Sequence, residues 1–128
     1  MSKNFLLYLF RIEFIGFKLV SVVKIVIENL AQKHLLDVDQ SKSILRVVQS
    51  HFIDWMHACG GKGRCTTCKM IVVEGMDKLS RLTPAELKYR NLGQLAENER
   101  LACQTRALGS CRIRVPEESK MPHMDYTS

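Results

Sequence analysis

Four cysteines constrain this chain of 128 residues more than any other feature. Cys59, Cys65 and Cys68 follow the pattern C-x5-C-x2-C, and Cys103 stands far downstream. Gly60, Gly61 and Gly63 are interleaved with the first three, so the stretch from Cys59 to Cys68 reads as a loop. Such a loop delivers three thiols close together and receives a fourth from a distant strand end.

The spacing excludes several thiol chemistries. A zinc ribbon needs two paired knuckles, and only Cys65-Thr66-Thr67-Cys68 is one. A Rieske site needs two histidine ligands, and His57-Ala58-Cys59 offers one histidine in another arrangement. A thioredoxin-type pair sits at a helix start within a βαβ unit, whereas Cys65 and Cys68 run directly into strand-like sequence. A phosphate loop fails because Lys62 is followed by Gly63 and not by Ser or Thr.

Composition narrows the compartment. Five cysteines is an odd count and far too few for a secreted disulfide scaffold, which favours a reducing compartment and a metal or cluster. Apolar residues at 46% and charged residues at 25% describe a globular chain. The formal charge of +6 permits an acidic partner, but no stacking motif or basic stripe supports nucleic acid. Near the start, the apolar run Phe5 to Phe10 is broken by Arg11, Glu13 and Lys18, too soon for a membrane span. It also lacks the cleavage site of a secretory signal and the Arg- and Ser-rich character of a mitochondrial presequence, so the expectation is a soluble, cytoplasmic protein.

Three segments follow: an N-terminal extension over 1–18, a domain over 19–117 and a polar, loosely held tail over 118–128. For the extension three readings stay open: an extra strand or arm packed on the domain, a native start nearer Leu19, or a membrane or partner contact. Leu19 to Ile27 is β-branched and predicts a strand; His34 to Val38 pairs back as a hairpin. Ser41 opens a helix with Ile44, Leu45, Val48 and Phe52 on one side. Lys69 to Val73 predicts a third strand. Thr83-Pro84-Ala85-Glu86 is a capping box that starts a helix ending near Gly93. Arg100 to Cys103 and Cys111 to Val115 complete the strands.

A [2Fe–2S] cluster suits this constellation. Each tetrahedral iron takes two thiolates and shares two bridging sulfides, so the loop must wrap a compact anion with few side chains in the way. The glycines bring backbone N–H groups close to sulfur, and the Thr66 and Thr67 hydroxyls are further donors. Two other readings of the cysteines stand beside it: buried core residues, and a four-thiolate zinc site.

The stretch His57-Ala58-Cys59-Gly60-Gly61-Lys62-Gly63-Arg64-Cys65-Thr66-Thr67-Cys68, followed later by Arg100-Leu101-Ala102-Cys103-Gln104, resembles a [2Fe–2S] ferredoxin. Its C-x5-C spacing is similar to that of adrenodoxin-like and many bacterial ferredoxins. The resemblance covers roughly residues 19 to 117. It implies an α+β, β-grasp (ubiquitin-like roll) fold with a mixed sheet, one main helix and a cluster-binding loop. It also implies one cluster per chain, with Cys59 and Cys65 on the outer iron and Cys68 and Cys103 on the inner one. The implied activity is single-electron transfer between redox proteins, a reductase and an acceptor oxidoreductase, by a monomer that is not an enzyme. Adrenodoxin-like proteins carry acidic residues on the helix after the third strand; here that helix reads Glu86, Lys88, Arg90.

The remaining candidates are weighed singly. Cys111, Ile113 and Val115 alternate onto one face, which makes Cys111 a core residue. Trp55 and Phe52 read as core. His57, beside the first cysteine, is a candidate for tuning the cluster through a hydrogen bond. Lys62 and Arg64 lie inside the loop, where their charge favours the more negative, reduced state and serves docking, whereas Lys69 and Arg106 read as solvated surface. Two readings outside electron transfer use the same four cysteines: a redox sensor whose partner binding follows oxidation, and a zinc-stabilised interaction module.

Overall fold

The computed structural model describes residues 22–37 and 39–127. The expectations for residues 1–21, including the start of the first strand, lie outside the described residues.

Among the described residues, five strands form one mixed sheet. β1 (Val23–Ile27) is the β-branched stretch, with four of its five residues buried. β2 (Lys33–Asp37) turns back on it, with Ile25 opposite Leu35. After α1 (Ile44–Ser50) and the cysteine loop come β3 (Lys69–Glu74), α2 (Pro84–Asn91), β4 (Glu99–Leu101) and β5 (Cys111–Arg114). The sheet order is β2-β1-β5-β3-β4. β5 lies parallel to β1 and antiparallel to β3, and every other pairing is antiparallel. This is the mixed sheet of a β-grasp fold, with two short helices.

Each helix starts for a local reason. Ser43, not Ser41, caps α1, accepting from the Arg46 N–H at 3.2 Å, and Ile44, Leu45, Val47 and Val48 are buried beneath it. In α2 the capping box forms as read: Thr83 accepts from the Glu86 N–H, and Glu86 Oε1 accepts from the Thr83 N–H at 3.1 Å. Cys111, Ile113 and Val115 are buried together, as their alternation requires. Burial pushes the Cys111 thiol up to about 11, so it packs as a small apolar side chain.

Two expectations fail. α1 ends at Ser50, and Phe52 lies beyond it, 96% exposed, while Trp55 alone of the pair joins the core. Phe52 takes φ +61°, with its N–H donating to the Gln49 carbonyl and the Ile53 N–H to the Val48 carbonyl. That is the left-handed ending a helix usually assigns to glycine.

The tail is not loosely held. Ser119 is buried and its hydroxyl donates to the Thr67 carbonyl at 3.2 Å, and His123 meets Asp54 at 2.7 Å. Asn29, fully buried, ties the two ends of the domain together. Its amide donates to the Val115 carbonyl and accepts from the Val115 N–H, both at 2.9 Å, and its own carbonyl accepts from the Thr127 N–H at 2.9 Å.

Gly75, which turns β3 towards the next segment, sits at φ +91°. A Cβ there would lie 2.7 Å from the Ser110 carbonyl oxygen, so no other residue fits.

Candidate metal centre

The cysteine loop joins α1 to β3, and each thiol is positioned by a different part of the fold. Cys68 stands at the entry to β3. Its carbonyl accepts from the Trp55 indole N–H and from the Ala102 N–H, both at 3.1 Å. Cys103 follows β4 in a short segment gripped at three points. The first two N–H groups of α1, on Ile44 and Leu45, donate to the carbonyls of Thr105 (2.8 Å) and Ala102 (3.0 Å). These are donors a helix cannot satisfy internally, so the segment caps the helix while the helix holds the segment.

The third grip is Glu86. Its carboxylate, fully buried, accepts from Arg100 Nε (2.8 Å) and Nη2 (3.0 Å), the Leu101 N–H (2.9 Å) and the Thr105 hydroxyl (3.0 Å). Burial opposes its charge, but Arg100 and the Leu101 and Thr83 amides outweigh that and hold its carboxyl below the usual range. Glu86 is therefore no part of a mixed helix surface. Sequence reading found its capping role and missed that the same carboxylate braces the strand end carrying Cys103.

The four thiols lie near one another, and Cys65 is close enough to Cys68 to act on its charge. Cys59 adjoins Cys65, and Cys68 adjoins Cys103. Among the described residues, no three His, Cys, Asp or Glu side chains converge to hold a single metal ion. A dinuclear cluster asks for two pairs, one per iron, whereas a lone zinc asks for four ligands around one point.

Donors surround these sulfurs. Although burial opposes ionisation of Cys59, the N–H groups of Arg64, Lys62 and Gly61 and the Cys65 thiol lower its thiol to about 7. The Cys68 thiol, aided by the Gln104 amide and the Gly63 N–H, brings Cys103 down to about 6. Cys68 itself is raised, because its proton is shared with Cys103 and it is buried. The Cys103 N–H points at Cys68 Sγ from 3.5 Å and the Gln104 amide at Cys103 Sγ from 3.7 Å. Gln104 gave no signal of its own in the sequence.

Thr67 and Thr66 part company. The Thr67 hydroxyl accepts from the Ala58 N–H at 2.7 Å, which leaves its own proton for Cys65 Sγ, 3.2 Å away. Thr66 offers its backbone carbonyl to the Lys69 N–H. The Nδ1 of His57 bonds the Trp55 carbonyl, so the ring braces the approach to the loop. Lys62 and Arg64 are exposed, their backbone amides turned to sulfur. Gly60, Gly61 and Gly63 all have positive φ, and a Cβ on Gly63 would lie 2.8 Å from the Gln104 amide nitrogen. A glycine cradle rich in N–H donors, around two thiols, Cys59 and Cys103, that are inclined to ionise, fits an anionic iron–sulfur cluster.

The chain matches the family of 2Fe–2S iron–sulfur cluster binding domains over residues 28–108. It belongs to that family. Its cofactor is one [2Fe–2S] cluster. The ferredoxin chain is 32% identical over 74 residues to 2Fe–2S ferredoxin-5 of Aquifex aeolicus, covering 55% of this chain and 74% of that protein. It is 36% identical over 86 residues to one subunit of the Na(+)-translocating NADH-quinone reductase of Pseudomonas aeruginosa. That match takes in 67% of this chain but 20% of the relative, so the chain spans about a fifth of that protein. Among solved structures, the ISC-like [2Fe–2S] ferredoxin of Pseudomonas putida superposes with a TM-score of 0.59 at 30% identity, over 75% of this chain and 92% of that one.

Proposed function

We propose that this chain is a one-electron carrier, with Cys59 and Cys65 holding the outer iron of its [2Fe–2S] cluster and Cys68 and Cys103 the inner one. The observation that carries the reading is the gathering of these thiols within a glycine cradle, in a chain of this family. When bound, the cluster supplies a one-electron couple. The protein's own residues supply the rest. Amides of Gly61, Lys62, Gly63 and Arg64 and the hydroxyl of Thr67 place partial positive charge on the ligand sulfurs, which favours the more negative state. Glu86, Arg100 and the start of α1 keep the Cys103 segment in place between oxidation states.

Its role is to pass electrons in the cytoplasm between a reductase and an acceptor oxidoreductase, through brief contacts of the weak, electrostatic kind usual for redox encounters. No helix among the described residues is long and apolar enough to cross a membrane. The test is a visible spectrum of anaerobically purified protein before and after dithionite. Red-brown bands that bleach on reduction are expected, lost in Cys59→Ser, Cys65→Ser, Cys68→Ser and Cys103→Ser but kept in Cys111→Ser. Protein that stays colourless after anaerobic reconstitution with iron and sulfide overturns the reading.

A further inference from the structure

Charge is distributed unevenly over this molecule. Residues 40–53, 55–73 and 100–116, which hold α1, the cysteine loop and the Cys103 segment, contain no carboxylate. Residues 78–96 contain one, Glu86, which is buried against Arg100. Several acids elsewhere are engaged: Glu28 with Arg114, Asp37 with Lys42, Asp54 with His123, Glu74 with Arg112, Glu99 with Lys69. Glu118 lies beside Thr66 and Thr67 and shares Lys69, at 3.7 Å, with Glu99, so this lysine offsets one of the two carboxylates.

The cations around the thiols show the opposite pattern. Arg46, Lys62, Arg64 and Arg106 are exposed, and none has an ion-pair partner among the described residues. Their placement is collective. Arg46 lines a cleft of about 290 Å³ together with Gln49, His57, Gly60, Gly61 and Cys103. Arg106 pairs by backbone with Ser43, at the start of the same helix. Lys62 and Arg64 turn their backbone amides to Cys59, which leaves their side chains for solvent.

We propose that Arg46, Lys62, Arg64 and Arg106 form a basic collar around the cysteine loop that docks an acidic surface of a redox partner protein. The inference rests on the carrier reading and adds the sign of the partner's charge. Four unpaired cations outnumber the charge of about −2 that an oxidised cluster with four thiolates brings, even with the one carboxylate that Lys69 leaves uncompensated, so the rim stays positive to an approaching donor. Leaving cations unpaired in water costs the folded chain little, because surface ion pairs contribute little to stability. Their uncompensated field acts at a distance, by raising the encounter rate with an acidic face. A protein fits better than nucleic acid, since the cleft that Arg46 lines carries one small ring, His57, and the exposed Phe52 ring does not line it.

The test is stopped-flow oxidation of the dithionite-reduced holoprotein by two small probes, ferricyanide (an anion) and tris(phenanthroline)cobalt(III) (a cation), from low to high salt. The expected result is a ferricyanide rate that falls about threefold or more as salt rises and a cobalt rate that climbs. In the Arg46→Glu/Arg106→Glu variant, which keeps both loop cations, the ferricyanide rate at low salt drops by a similar factor. The reverse salt dependence, or a variant indistinguishable from wild type, overturns the collar and leaves the carrier reading standing, because both probes still accept electrons. Failure of both probes to accept an electron overturns both. Titration with duplex DNA and with poly-L-glutamate at about 150 mM salt separates the partner classes. Tighter binding of the DNA overturns a protein partner.

Discussion

Arg100 and Glu86 form a buried, two-pronged ion pair: Nε meets Oε2 at 2.8 Å and Nη2 meets Oε1 at 3.0 Å, with both side chains almost wholly out of solvent. Arg100 extends the network through Nη2 to the Ser80 carbonyl at 2.9 Å. Buried pairs of this kind contribute little net stability over a well-packed apolar substitute, yet removing one partner strands the other.

Glu86→Gln therefore destabilises the domain by about 3 kcal/mol, read as a lower urea midpoint. The pH dependence follows from the depressed carboxyl. In the folded state Glu86 ionises more readily than its ordinary value of 4.5, so its contribution is complete above that pH and is lost as pH falls through the folded value. The wild-type midpoint should fall below about pH 4.5 more steeply than that of Glu86→Gln, by one proton's share. Equal slopes would show that Glu86 is not the titrating group.

Thr67→Val removes the hydroxyl that meets Cys65 Sγ at 3.2 Å without changing side-chain volume much. One hydrogen bond contributes about 1 kcal/mol, equivalent to a shift on the order of 40 mV for a one-electron couple. The midpoint should move negative, and Thr67→Ser should restore it. Square-wave voltammetry measures both, and an unmoved midpoint in Thr67→Val would remove Thr67 from the tuning groups.

Arg64→Glu reverses an exposed charge whose backbone amide faces Cys59. The reduction midpoint should fall by an amount on the order of tens of millivolts, and more at low salt, because the interaction passes partly through solvent. A variant that keeps its cluster and its wild-type midpoint sinks this expectation.

Phe52→Gly should stabilise the protein. The left-handed φ of +61° costs a phenylalanine on the order of 1 kcal/mol, and the exposed ring offers nothing in return. A gain of about 0.5–1 kcal/mol, visible as a thermal midpoint raised by a few degrees, is expected. A lower midpoint would mean that the ring packs in a way its exposure does not reveal.

Features written in neighbouring residues were legible in the sequence. β1 and β5 follow from β-branched and alternating residues, and the α2 start follows from Thr83 and Glu86, three positions apart. Spacing also picked out the four thiols that the fold then gathers. What stayed hidden depends on partners distant in the chain. Asn29 only follows the β1 run in sequence until Val115 arrives to bond it, and Glu86 reads as a cap until Arg100 does. Phe52 shares a helical period with Ile44 and Val48, but the period has meaning only while the helix continues, and it stops at Ser50. The polar tail carries no periodicity because single contacts, such as Ser119 to Thr67, hold it.

The Asn29–Val115 clasp sets an order of events during synthesis. β1 emerges from the ribosome early, but its parallel neighbour β5 and the residues that bond Asn29 come long after the third cysteine. At ordinary rates of translation, the stretch from Cys68 to Val115 takes roughly 2–10 s to make. For most of that interval, until Cys103 is made, three cysteines are present without the fourth, and for all of it the sheet that frames them is incomplete. The four thiols and the frame that holds them are thus complete together only once Val115 has been made.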